Sequence, residues 1–208
     1  MITVVDYGAS NLSSISNMLR KIDVAAEVTA DPDVVRRASK LLLPGVGAFD
    51  AGMAGLQARG LDEAMAERVR DGVPVLGVCL GAQLFTRRSD EGGARGLGWL
   101  GAETVAFDRA SMALSEGRAL PVPHMGWSEL ALGEPSRLLQ ALPDEARFYF
   151  CHSYHLAPDL PGMARATVSY GYPFAAVLEH ENVVAAQFHP EKSHRYGMAV
   201  LRNFSDRY

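Results

Sequence analysis

Cysteine is scarce: Cys79 and Cys151 are the only two in 208 residues, too few for a disulfide-stapled scaffold. Basic excess is missing as well. Lys and Arg number 20 against 24 Asp and Glu, a formal net charge of −4, which argues against a general nucleic-acid binder because phosphate binding draws on clustered Lys and Arg. No stretch approaches the roughly 20 apolar residues needed to span a bilayer, so no membrane partner is expected. The opening Ile2-Thr3-Val4-Val5-Asp6 reads as a strand and lacks the positive charge and apolar core of a leader, so the expected location is the cytoplasm. In that reducing compartment Cys79 and Cys151 are expected to stay unpaired. No repeat, linker or low-complexity tract divides the chain, so one domain over residues 1–208 is expected.

What is present is an ordinary globular composition, 48% hydrophobic and 21% charged. The first half alternates apolar runs with helical spacing. Ile2–Val5 reads as a buried strand, Val24–Thr29 and Lys40–Leu43 as further strands, and Val73–Val78 as a near-continuously apolar one. Between them Leu12, Ile15, Leu19 and Ile22 form one helical apolar face, with further helices around Asp33–Ala38 and Leu61–Arg70. Such alternation predicts an α/β fold, a mainly parallel sheet flanked by helices. The second half offers short strands at Ala102–Phe107, Ser128–Leu132, Arg147–Cys151, Arg165–Ser169, Ala175–Leu178 and Val183–Gln187. Gly, Pro and charged turns separate them, which predicts antiparallel strands added to the same sheet. A last helix is expected over His194–Ser205, with Met198, Leu201 and Phe204 on one face.

The chemistry concentrates in two runs. Gly77-Val78-Cys79-Leu80-Gly81 has the Gly-x-nucleophile-x-Gly form of a sharp strand-to-helix turn, where a Cβ would obstruct close contacts. A helix starting at Leu80 or Gly81 would set its positive end beside the sulfur, which favours negative charge there. Cys151, after Phe148-Tyr149-Phe150 and without an elbow, reads as packing. Among six histidines, His189 differs from His124, His152, His155, His180 and His194 by having Glu191 two residues on. In an extended segment those side chains share a side, so the carboxylate can orient the imidazole as base for the thiol. A zinc site at His152-Ser153-Tyr154-His155 is the competing reading, but no Cys-x-x-Cys or His-Glu-x-x-His accompanies it. Acyl transfer also needs oxyanion donors. The N–H of Leu80 and the turn Pro44-Gly45-Val46-Gly47 are the candidates; as a phosphate cradle that turn lacks a following Gly-Lys-Ser/Thr.

These motifs resemble the class I (triad) glutamine amidotransferases, and within them the glutaminase subunits of imidazole glycerol phosphate synthase. The resemblance covers nearly the whole chain. It rests on Asp6-Tyr7-Gly8-Ala9-Ser10-Asn11-Leu12, Leu43 to Phe49, Gly77 to Gln83, and Ser89-Asp90-Glu91-Gly92. Pro123-His124-Met125-Gly126-Trp127, His152-Ser153-Tyr154 and Gln187 to Ser193 complete it. The resemblance implies a Cys79–His189–Glu191 triad, with Val46, Gly47 and Leu80 around the oxyanion and Gly47, Gln83, Ser153 and Tyr154 at a bound glutamine. It implies no metal and no cofactor. It also implies a partner, a (β/α)₈-barrel cyclase making imidazole glycerol phosphate and AICAR, with Asn11, Trp127 and Lys192 at or near the interface. Ser10 stands where glycine is usual and Ala82 where methionine is usual. His155, where tyrosine is frequent, and the tail Lys192 to Met198 look like a paralogous branch feeding ammonia to a synthetase that amidates surface-polysaccharide sugars. Outside glutaminases, a silent regulatory subunit and a cysteine peptidase are the remaining readings of the elbow.

Overall fold

Apolar runs set the frame. In a computed structural model, which describes residues 1–9, 11–112, 120–143 and 145–208, they form strands β1 (Ile2–Val5), β2 (Ala26–Thr29), β3 (Leu41–Gly45) and β4 (Val75–Cys79). Helices α1 (Leu12–Lys21), α2 (Pro32–Arg36), α3 (Phe49–Gln57) and α4 (Leu61–Arg70) connect them, and α5 (Leu80–Leu84) follows β4 without a gap. Ser10 of the opening motif lies outside the described residues. The second half supplies β5 (Ala102–Ala106), β6 (His124–Glu129), β7 (Ala131–Leu132), β8 (Arg147–His152), β9 (Tyr154–Pro158), β10 (Ala164–Tyr170), β11 (Tyr172–His180) and β12 (Val183–Ala186), then α6 (His194–Arg207).

The main sheet runs β2-β1-β3-β4-β12-β11-β10-β7. Its first five strands are parallel, and β11, β10 and β7 continue it antiparallel. β9 joins β11, and β5 joins β9. The expected α/β architecture is present, with one correction. The segment 147–152 does not enter the main sheet; β8 pairs antiparallel with β6 as a separate two-stranded ribbon. The strand expected at Ser128–Leu132 is divided between β6 and β7. Two elements were not expected at all, α3 and β9.

The inner parallel strands β1, β3, β4 and β12 are buried on both faces, their successive side chains pointing to opposite sides, whereas β2 at the sheet edge is partly exposed. Val4, Leu42, Leu76, Val78, Val184 and Ala186 face one core, with Ile15 and Leu19 of α1 and Val200, Leu201 and Phe204 of α6. Val5, Leu41, Leu43, Val75, Val183 and Ala185 face the other, against Met53 and Leu56 of α3 and Ala64 and Met65 of α4. Among the described residues no helix is long and apolar enough to cross a membrane.

Candidate active site

Register brings the site together. Gly45 at the end of β3 lies opposite Cys79 at the end of β4, and Ala186 of β12 lies opposite Val78. The loops leaving three parallel strands therefore open side by side at their carboxyl ends, where open α/β sheets bind ligands. Cys79 takes φ 52°, ψ −110°, a left-handed conformation costing on the order of 1–3 kcal/mol in a non-glycine residue. The flanking glycines are there for space. A Cβ on Gly77 would sit 2.6 Å from the Phe85 ring and 2.7 Å from the Ala82 backbone, and one on Gly81 would run into the Leu43 carbonyl oxygen. Gly47 has open space around it but φ +109°, so its requirement is conformational.

His189 follows β12 and is tied to β8. Its N–H donates to the Tyr149 carbonyl at 2.9 Å. Ser193 staples the turn, its hydroxyl donating to the His189 carbonyl at 2.6 Å and accepting the Tyr149 N–H at 3.0 Å. His189 Nδ1 meets Glu191 Oε1 at 2.7 Å. The pairing is as expected, but its geometry is not that of an extended strand. Pro190–Lys192 form a 3₁₀ turn, and the turn brings carboxylate back to imidazole. Burial works to strip His189 of its proton. Hydrogen bonds to Cys79 and Glu191, with their negative charge, outweigh it and raise the imidazole to about 10.

Cys79 and His189 share a cavity of about 280 Å³. Val46, Gly47, Cys79, Leu80, Gln83, Ser153, Tyr154, His189 and Lys192 all line it. Leu80, as the first residue of α5, has an N–H with no partner inside the helix. Asn11 and Trp127 lie outside the cavity, both exposed; Trp127 stacks on His194 with ring planes 8° apart. Lys192 is exposed, its ammonium 5.5 Å from the Tyr149 ring centre.

Several lining residues carried no role in the sequence reading. Cys151 is one, and packing alone does not describe it: it lines the cavity, and its carbonyl accepts from the Cys79 thiol at 3.8 Å. Both cysteines are free thiols. Glu91 accepts the Phe49 N–H at 2.8 Å, so the carboxylate caps α3 while it lines the cavity. The motif Ser89-Asp90-Glu91-Gly92 hints at this only as a run of capping residues. Tyr7 is 1% exposed, and its hydroxyl, pressed against Gly45, has no hydrogen-bond partner. His152, expected only as part of a candidate zinc motif, lines the cavity, and Gln187 is buried with its amide nitrogen 3.9 Å from Cys79 Sγ.

Three further histidines are held by partners of their own. His124 and His152 bond to each other at 3.1 Å, and His155 bonds to the Leu156 carbonyl and the Tyr172 hydroxyl. Burial pushes His152 down to about 3 and His124 to about 4. Among the described residues no group of three or more His, Cys, Asp or Glu is placed to hold a metal ion.

A thiol and an imidazole in one small cavity, with a carboxylate on the far nitrogen of the imidazole, are the groups a cysteine acyl-transfer enzyme uses. The sequence matches the class-I glutamine amidotransferase family over residues 3–207. It is 41% identical over 205 residues to the imidazole glycerol phosphate synthase subunit HisH 2 of Pseudomonas aeruginosa, spanning 98% of each chain. Identity is 42% over 207 residues to subunit HisH of the same synthase in Syntrophotalea carbinolica, spanning 99% of this chain and 100% of that one. A solved glutamine amidotransferase superposes with a TM-score of 0.74 at 17% identity, over 98% of this chain and 97% of that one, a likeness of fold. On the strength of matched sequence along its whole length, the chain belongs to the class-I glutamine amidotransferase family.

Proposed function

We propose that the chain is the glutaminase subunit of an imidazole glycerol phosphate synthase, acting as one domain and releasing ammonia from L-glutamine. The Cys79 thiolate attacks the side-chain amide carbon, forming a C–S bond and an oxyanion that Leu80 and the Val46-Gly47 turn receive. As the tetrahedral adduct collapses, the imidazolium of His189 protonates the departing nitrogen, and the C–N bond breaks to give ammonia and a glutamyl thioester. His189, neutral again, takes a proton from water as the hydroxide oxygen adds to the thioester carbonyl. The C–S bond then breaks, releasing glutamate and returning the thiolate. Glu191 holds the imidazole tautomer through Nδ1 throughout. Gly47, Gln83, Ser153 and Tyr154 surround the amino-acid portion, and the cavity suits one free amino acid better than a peptide.

Ammonia that escapes is protonated and lost as a nucleophile. The relatives are named as subunits, which supports delivery into a partner: a (β/α)₈-barrel cyclase docking over Asn11, Trp127 and Lys192. A sugar-amidating synthetase is the other acceptor. His155 gives it little support, since that ring is 6% exposed and packs against Phe107 and Phe174. The observation that carries the reading is His189, lining one cavity with Cys79 and held by Glu191 at 2.7 Å. Cys79→Ala should abolish glutamine-dependent turnover by the assembled synthase while turnover with added ammonia persists. Glutamine hydrolysis surviving in that variant would defeat the mechanism. Failure of the parent chain to restore growth without histidine would shift the acceptor to the sugar synthetase.

A further inference from the structure

A line of hydrogen bonds runs from β6 to the sulfur. Ser128 Oγ meets His124 Nε2 at 3.0 Å, His124 Nδ1 meets His152 Nε2 at 3.1 Å, and His152 Nδ1 meets the Tyr154 carbonyl at 2.8 Å. Gln83 Nε2 donates to the same carbonyl at 2.8 Å and to Gln187 Oε1 at 3.3 Å, and Gln187 Nε2 points at Cys79 Sγ, 3.9 Å away. Four of its side chains are buried: His124 is 2% exposed, His152 6%, Gln83 5% and Gln187 0%.

The direction of each bond follows from what each atom can do. A carbonyl only accepts, so His152 carries its proton on Nδ1 and accepts at Nε2. His124 then donates from Nδ1 and accepts the Ser128 hydroxyl at Nε2. The two rings are thus neutral and of one tautomer each, and burial depresses the pKa of both. Gln83 spends its amino group on two acceptors, so Gln187 must offer its oxygen to Gln83 and its amino group to the sulfur. A flipped Gln187 would set amino group against amino group and turn a carbonyl oxygen toward Cys79.

We infer that Gln187 is a catalytic residue that donates a hydrogen bond to the Cys79 thiolate, and that His152 and His124 are positioning residues that hold in place the Tyr154 carbonyl to which Gln83 donates. The inference rests on the glutaminase reading above. As a thiol, Cys79 donates to the Cys151 carbonyl at 3.8 Å. Once its proton passes to His189, that carbonyl is no longer a partner, whereas the Gln187 N–H suits the anion. A donor that suits the charged form better favours that form.

The test compares glutamate release from L-glutamine with alkylation of Cys79 by iodoacetamide at pH 7, read on the Cys79 peptide by mass spectrometry. Gln187→Met should lower both kcat and the alkylation rate about tenfold, the usual loss for a hydrogen bond to a charged group, with KM changed less than about twofold. His124→Leu should lower both rates about threefold. His124→Asn, which keeps a donor in the place of Nδ1, should recover most of that loss. A folded Gln187→Met chain that is alkylated and turns over at parent rates overturns the inference. If that variant does not fold, the His124 pair decides, and two variants with the same rates overturn it. Were the assembled synthase to release no glutamate, the glutaminase reading would fall on its own, and alkylation would still judge Gln187.

Discussion

His189 and His152 line the same cavity and are nearly inaccessible, at 2% and 6% exposure, yet they are driven in opposite directions. His152 is pushed down to about 3, because burial dominates and its partners are a carbonyl and a second imidazole. His189 is raised to about 10, because the Cys79 sulfur and the Glu191 carboxylate outweigh the same burial. Low exposure alone therefore says little about a buried imidazole; the charge placed beside it decides. One region stores a proton where ammonia must be made, and the other stays neutral, a rigid set of donors and acceptors.

The sharpest way to break this contrast is to take away the carboxylate. In Glu191→Ala the His189 site moves toward that of His152, with Cys79 the one partner left to offset burial. The imidazole should then be neutral at pH 7 by nitrogen-15 NMR. Glutamine hydrolysis should fall by on the order of 10³–10⁴-fold, the scale seen when a catalytic imidazole loses its orienting partner. An imidazole still protonated at pH 7 would mean that the sulfur alone holds the charge.

A smaller effect separates the two regions by pH. The folded pKa of His189 lies above the ordinary 6.5, so its contribution to stability is complete below about pH 6.5 and is lost as pH climbs toward 10. For His152 and His124 the folded values lie below 6.5, so stability is lost as pH falls from about 6.5 toward 3, where the unfolded chain takes up protons that the folded one refuses. Urea midpoints from pH 4 to 10 should show both flanks. Glu191→Gln should flatten the alkaline flank and His152→Asn the acid flank; the reverse assignment would contradict the electrostatics described here.

The same division marks how far the sequence could be read. Strands β1, β3 and β4 are legible because a parallel strand buried on both faces is a continuous apolar run, and α1 because Ile15, Leu19 and Ile22 recur at helical spacing. The elbow at Cys79 is legible because its glycines answer a local steric demand. Helix α3 is obscured by Gly52 and Gly55, poor helix formers retained for close packing: a Cβ at Gly52 would lie 3.1 Å from Leu84, and one at Gly55 would strike the Tyr7 carbonyl oxygen. The ribbon of β6 and β8 is hidden for another reason. Its partners are far apart in the chain, and its burial alternates with no surrounding helical signal to frame it. Gln187 illustrates the limit most clearly, since only the tertiary contact with Gln83 gives its amide a direction.

Cys79 and Cys151 both line the cavity, so the central claim comes down to which sulfur reacts. A glutamine-analogue electrophile, followed by peptide mass mapping, asks this directly. The account predicts a single adduct on Cys79, prevented by excess L-glutamine, with Cys151 unmodified. An adduct on Cys151, or none on Cys79, would contradict it.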